Sequence, residues 1–86
     1  MPYIKQEDRA LLEHLVKEMR LTGIKNAGEL NYLITQLIHS FLDQGVHCYQ
    51  RMNDIMGALE GAKLEMYRRR ISIYEDAKKG DNGDVP

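Results

Sequence analysis

The most regular apolar pattern in the chain lies between residues 28 and 43. Leu30, Leu33, Ile34, Leu37, Ile38, Phe41 and Leu42 fall at i, i+3, i+4, i+7, i+8, i+11 and i+12. That is the spacing of one wide helical face. Asn31, Thr35, Gln36, His39 and Asp43 occupy the opposite side. The pattern predicts a middle helix from about Gly28 to Asp43. Gln44-Gly45 closes it, with Gly45 suited to a left-handed cap.

Upstream, Leu11, Leu12, Leu15, Val16 and Met19 form a second stripe. They predict a first helix from about Lys5 or Glu7 to Arg20. Glu7 and Asp8 sit near its positive end, and Lys17 and Arg20 near its negative end, as the helix dipole favours. Thr22-Gly23 reads as a stop and Asn26-Ala27-Gly28 as a loop. Residues 1–6 read as an extended arm, because Pro2 fixes its own φ and turns Met1 away from helix.

Downstream, Met52, Ile55, Leu59, Ala62, Met66 and Ile73 follow spacings of three and four, interrupted at Arg69. They predict a long last helix from Cys48 or Tyr49 to Lys78. Gly57 and Gly61 cost helix stability, and their spacing either admits a close second helix or marks a bend. Residues 80–86 are small and polar and read as a disordered tail. The expected fold is all-α, a single helical domain over 1–79. A short N-terminal helix precedes an antiparallel hairpin of the middle and long C-terminal helices.

The lengths do not match. The long helix spans roughly 45 Å and the middle one about 24 Å at 1.5 Å per residue. Leu64, Met66, Tyr67, Ile71, Ile73 and Tyr74 therefore need cover that the middle helix cannot give. The simplest source is another copy, so the chain is expected to form a homo-oligomer, most cheaply a symmetric dimer or a multiple of one.

Composition narrows the function. The chain has 86 residues, enough for one domain at most, and a domain of this size often needs a staple or a partner subunit. Cys48 is the only cysteine, so no intrachain disulfide forms, and a lone buried thiol fits a reducing cytosol. No apolar run of about 18 residues is present, and the N-terminus does not read as a signal peptide. The expected location is cytoplasmic, in the host cytoplasm if the protein is phage-encoded. A net charge of −1 argues against a general nucleic-acid binder.

Catalytic signatures do not emerge. There is no phosphate loop, dinucleotide fingerprint or nucleophile elbow. His14, His39 and His47 are far apart, and the adjacent His47-Cys48 is wrong for chelation from a helix. Glu60 and Glu65 call to mind the acidic helices of nucleotide pyrophosphohydrolases. The middle helix, however, offers only Glu29 and Asp43 at its ends. Charge pairing along the helix explains the glutamates better. The expectation is a non-enzyme with no metal and no cofactor.

The segment from Lys63 to Tyr74 carries the strongest hint of binding. Spacings of four, three and four place Lys63, Tyr67, Arg70 and Tyr74 along one side of an α-helix. Alternating cations and aromatics suit a small anionic nucleotide, with phosphate on Lys63, Arg70 and Arg68 and bases stacked on tyrosine. Asn31 and Tyr32 of the middle helix and Tyr3 and Lys5 of the arm are further candidates. The plainer reading is a solvated arginine run paired with Glu65, Glu75 or Asp76, with Tyr67 and Tyr74 at a core edge. Met52, Met56 and Met66 read as core filling.

Several stretches resemble a family of small phage and prophage proteins. They are Met1-Pro2-Tyr3-Ile4-Lys5-Gln6-Glu7-Asp8-Arg9, Gly28-Glu29-Leu30-Asn31-Tyr32, Leu59-Glu60-Gly61-Ala62-Lys63-Leu64-Glu65, Tyr67-Arg68-Arg69, Tyr74-Glu75-Asp76 and Asn82-Gly83-Asp84-Val85. The resemblance spans almost the whole chain and implies a mobile-element setting. The helix order also resembles the helical-hairpin sponges that phages deploy against cyclic-nucleotide immunity, the anti-CBASS and anti-Thoeris proteins. Lys63-Leu64-Glu65 is the local match; in the sponges that stretch continues with a tryptophan, and this chain has none. The architectural likeness implies an oligomer that sequesters a nucleotide-derived signal between subunits. The competing expectation is a protein-interaction module that docks onto a host or phage protein through the last helix.

Overall fold

A computed structural model describes residues 4–85 of the chain. Every regular element among them is helical: α1 (Gln6–Ala10), α2 (Glu13–Thr22), α3 (Ala27–Asp43), α4 (Tyr49–Met66), a π-helical turn (Tyr67–Ile71) and α5 (Ser72–Asn82). They fall into two units, residues 4–55 and 56–85.

In the first unit, the expected first helix is broken in two. The backbone turns at Leu11-Leu12, where Leu12 takes φ −105° and ψ −5° and caps α2 with no side-chain hydrogen bond. The residue types at 11–12 give no reason for the break. Gly23 ends α2 with φ 76°, a left-handed value that only glycine adopts without strain, and its N–H donates to the Met19 carbonyl at 3.1 Å.

α3 begins one residue before the expected Gly28 because Asn26 caps it. Asn26 Oδ1 accepts from the Glu29 N–H at 2.9 Å, and Glu29 Oε1 accepts from the Lys25 N–H at 2.9 Å. Two amide donors at the start of the helix are thereby satisfied, in a near relative of the capping box.

At the other end the expected left-handed cap at Gly45 is absent, since Gly23 and Gly83 alone have positive φ among the described residues. Gly45 is small for a different reason. The Arg51 guanidinium lies against it, so a Cβ there would sit 2.6 Å from Cζ. Arg51 Nη2 donates to the Phe41 carbonyl, and Cζ stands 4.1 Å from the centre of the Phe41 ring. α3 and the first turn of α4 are tied by this clasp around the loop and share no long packed seam. Cys48 in that loop is exposed, contrary to the buried thiol expected.

In the second unit, helical φ/ψ values at Met66, Ile71 and Ser72 carry the backbone through the π-helical turn without interruption. The helix continues to Asn82, past the expected end at Lys78 and into the segment read as a tail.

None of the described residues is buried. Ile24, Ile34, Ile38, Leu42, Arg51 and Ile55 reach half-burial in the first unit, and Gly61, Glu65, Ile71 and Ser72 in the second. A folded monomer of 10.0 kDa exposes about 5,200 Å² by the usual surface scaling. This chain exposes 7895 Å², roughly 2,700 Å² more than that scaling gives. No helix among the described residues is long and apolar enough to cross a membrane.

Candidate functional site

The binding face expected on the last helix is reorganised by the π-helical turn. The Ser72 N–H donates to the Tyr67 carbonyl, five residues back, where an α-helix would reach four. One extra residue in a turn rotates everything beyond it by about 100° relative to an uninterrupted α-helix. Lys63 and Tyr67 still share a face, because the spacing between them is α-helical. Tyr74 no longer lies on that line.

The residue that takes its place is Glu75. The Tyr67 hydroxyl donates to Glu75 Oε2 at 3.3 Å, a contact across eight positions. In a plain α-helix those positions diverge by about 80°; the extra residue brings them back into line. Tyr74 instead lies beside Lys78, whose Nζ is 5.7 Å from the ring centre. At that distance and exposure the cation–π contribution is at most about 0.5–1 kcal/mol.

The cations divide as well. Arg68 reaches Glu65 at 3.2 Å, and Arg69 Nε donates to the same carboxylate. Lys63 stands 3.7 Å from Glu60 with both side chains largely in solvent, a pair of little energetic weight. Arg70 makes no hydrogen bond or ion pair among the described residues. Arg68 and Arg69 are therefore a paired surface, and Arg70 is an uncommitted guanidinium inside the π-helical turn. Ser72 Oγ bonds back to the Arg68 carbonyl at 2.9 Å, which occupies a carbonyl that the wider turn leaves accessible.

The other candidates lie in the first unit or outside the described residues. Tyr32 is exposed and lines an open groove of about 490 Å³ with Gly23, Ile24, Asn26, Glu29 and Leu33. Asn31 does not face that groove's lining; its carbonyl accepts from Thr35 Oγ1 at 2.8 Å. Lys5 precedes α1 as its cap residue. Tyr3 lies outside the described residues. Among the described residues, no three His, Cys, Asp or Glu side chains gather into a metal-binding group. His47 pairs with Asp43 at 3.1 Å rather than with Cys48.

Sequence reasoning missed Arg51. Its position near the start of a helix marks it as an ordinary solvated residue, yet it is half-buried and its Nε has no partner. The only advance signal is the conjunction of the single phenylalanine with a loop glycine, and that is visible only once the loop's course is known.

No curated protein and no solved structure matches this chain. A family model described as a domain of unknown function, DUF6899, matches residues 1–85, and the chain belongs to that family.

Proposed function

We propose that this protein is a non-catalytic, self-assembling binding protein whose assembled surface takes up a small phosphate-bearing nucleotide. The observation that carries the assembly is the lack of any buried side chain among the described residues. Hydrophobic burial is the main force that holds a folded domain together. A chain with roughly 2,700 Å² of surplus surface and exposed Leu33, Leu37, Phe41, Ile73 and Tyr74 gains that burial from further copies.

The ligand reading rests on Arg70, the uncommitted cation, together with Tyr67 and Lys63 on the adjoining α-helical face. A guanidinium supplies paired donors to a phosphate, and a tyrosine ring offers a base a stacking surface. Sequestration without turnover is what the sponge resemblance implies for such a ligand. Subunit assembly would enclose it, since Lys63 and Tyr67 lie on an open helical face and Arg70 in the π-helical turn that follows.

A second reading has its own support in Ile73 and Tyr74, which are 64% and 65% exposed on α5. In that reading the last helix docks onto a host or phage protein. One experiment separates the two. Sedimentation equilibrium of the pure protein is paired with a thermal-shift panel of linear and cyclic nucleotides, with and without magnesium. Oligomers whose melting point rises with one nucleotide class support sequestration. A monomer indifferent to the whole panel overturns it in favour of protein docking.

A further inference from the structure

Six of the seven apolar positions of the α3 stripe are symmetric about a point between residues 35 and 36, Leu42 alone mapping to a charged residue, Glu29. Under the operation that sends residue i to 71 − i, Leu30 maps to Phe41, Leu33 to Ile38 and Ile34 to Leu37. The polar positions map onto one another too: Asn31 to Ser40, Tyr32 to His39 and Thr35 to Gln36. A two-fold axis perpendicular to a helix, passing between residues 35 and 36, performs this operation on two antiparallel copies. An isologous interface demands such self-complementarity, because each contact occurs twice.

We infer that α3 pairs antiparallel with α3 of a second copy, with the two-fold axis between Thr35 and Gln36. This rests on the self-assembly reading above and specifies its geometry. Leu37 is the most exposed member of the stripe, at 67%, and stands beside the axis, where a facing helix gives the most cover. Leu30 and Phe41 close the two ends. The pairing meets no electrostatic obstacle, since residues 30–42 contain no Asp, Glu, Lys or Arg.

The ends add complementarity. In this register Glu29 of one copy falls opposite Leu42 of the other, next to Phe41. The Arg51 guanidinium rests on that ring, so a carboxylate arrives beside a half-buried cation whose Nε lacks a partner. A standard interface removes about 800 Å² per partner, and the surface that the whole chain exposes beyond the monomer scaling leaves room for the α3 contact and others beside it. Surface left over after one such contact then joins dimers into larger assemblies.

Cysteine cross-linking tests the register in the full chain, in a C48S background. Leu30→Cys and Phe41→Cys variants are purified separately, mixed under reducing conditions and oxidised. In the antiparallel register residues 30 and 41 face each other, whereas two copies of residue 30 stand roughly 16 Å apart along the axis, beyond disulfide reach. The expected result is a covalent dimer in the mixture and none in either variant alone. Leu33→Cys mixed with Ile38→Cys repeats the test if the first pair unfolds. Self-cross-linking by each single variant, the mark of parallel pairing, overturns the inference. So does a chain that sediments as an oligomer but cross-links in neither mixture, and in both cases self-assembly stands. A wild-type chain that sediments as a monomer removes the assembly reading itself, and the stripe then belongs to a different protein.

Discussion

Replacing Gly28 by alanine tests how rigidly α3 is started. Gly28 is the second residue of the helix, and glycine in a helix costs about 1 kcal/mol relative to alanine. Gly28→Ala should therefore stabilise the protein by close to that amount if nothing opposes it. Something does: the new Cβ would lie 3.3 Å from Asn26 Oδ1, the atom that accepts the Glu29 N–H at 2.9 Å. The oxygen must give by a few tenths of an ångström, and the cap bond is lengthened. Losing a cap of this kind costs about 1 kcal/mol, within a range of about 0.5–2. The two effects are of similar size, so the net change for Gly28→Ala should lie near zero. In an Asn26→Ala background the oxygen is gone, and the same Gly28→Ala change should yield its full gain of about 1 kcal/mol. Urea unfolding of the four proteins of this cycle, at one fixed protein concentration because assembly is linked to stability, gives the coupling directly. A coupling of about 0.5–1 kcal/mol is expected for neighbours that share an atom's position. An equal gain in both backgrounds would refute the reasoning and show that the cap oxygen moves aside freely.

Gly45→Ala should push the Arg51 guanidinium off the loop and cost about 1 kcal/mol net. The lost hydrogen bond and cation–π contact outweigh the entropy recovered from glycine. With Arg51→Met as background the same change should become neutral or stabilising in urea melts. Deleting one residue of the π-helical turn, such as Arg70, restores α-helical length and should leave the melting temperature unchanged or raised; a fall of several degrees would mean that the extra residue supports the fold. Leu37→Asp places a charge beside the inferred two-fold axis, where its desolvation is costly. It should sediment as a smaller species than wild type at equal concentration, and an unchanged species would exclude this face from the assembly.

What the sequence conveys about the fold depends on how local the cause is. The period of residues 30–42 produces α3 with its end at Asp43 as expected, because a wide apolar stripe and the absence of interior glycine or proline all agree. Gly23 is equally legible, since a glycine after an apolar-periodic run is a stop signal that acts through its own φ. Asn26 is a different case. Read as part of a loop, it is the cap that begins the helix; the Glu29 three residues on is the sequence mark of that role. Gly45 misleads because its smallness serves Arg51 across the loop rather than a left-handed backbone. The break at Leu11-Leu12 has no sequence mark, since leucine favours helix at both positions.

The candidate site shows a further kind of limit. Helical-wheel reasoning assumes a constant rotation per residue, and the π-helical turn violates it once, between Tyr67 and Ser72. A single extra residue leaves Lys63 and Tyr67 together, moves Tyr74 to Lys78 and presents Glu75 to the Tyr67 hydroxyl. That exchange alters the chemistry of the face, because a carboxylate beside Tyr67 repels the phosphate that Lys63 and Arg70 would attract. The ligand reading therefore requires phosphate to approach from the Lys63 and Arg70 side, with Tyr67 stacking between it and Glu75. π-Turns are rare single-turn interruptions of α-helices, frequently found at functional sites. Here the turn spans all three consecutive arginines. Arg68 and Arg69 keep the i,i+3 and i,i+4 pairing with Glu65 that a plain α-helix also allows, so the extra residue changes the face through Tyr74 and Glu75 and not through the arginines.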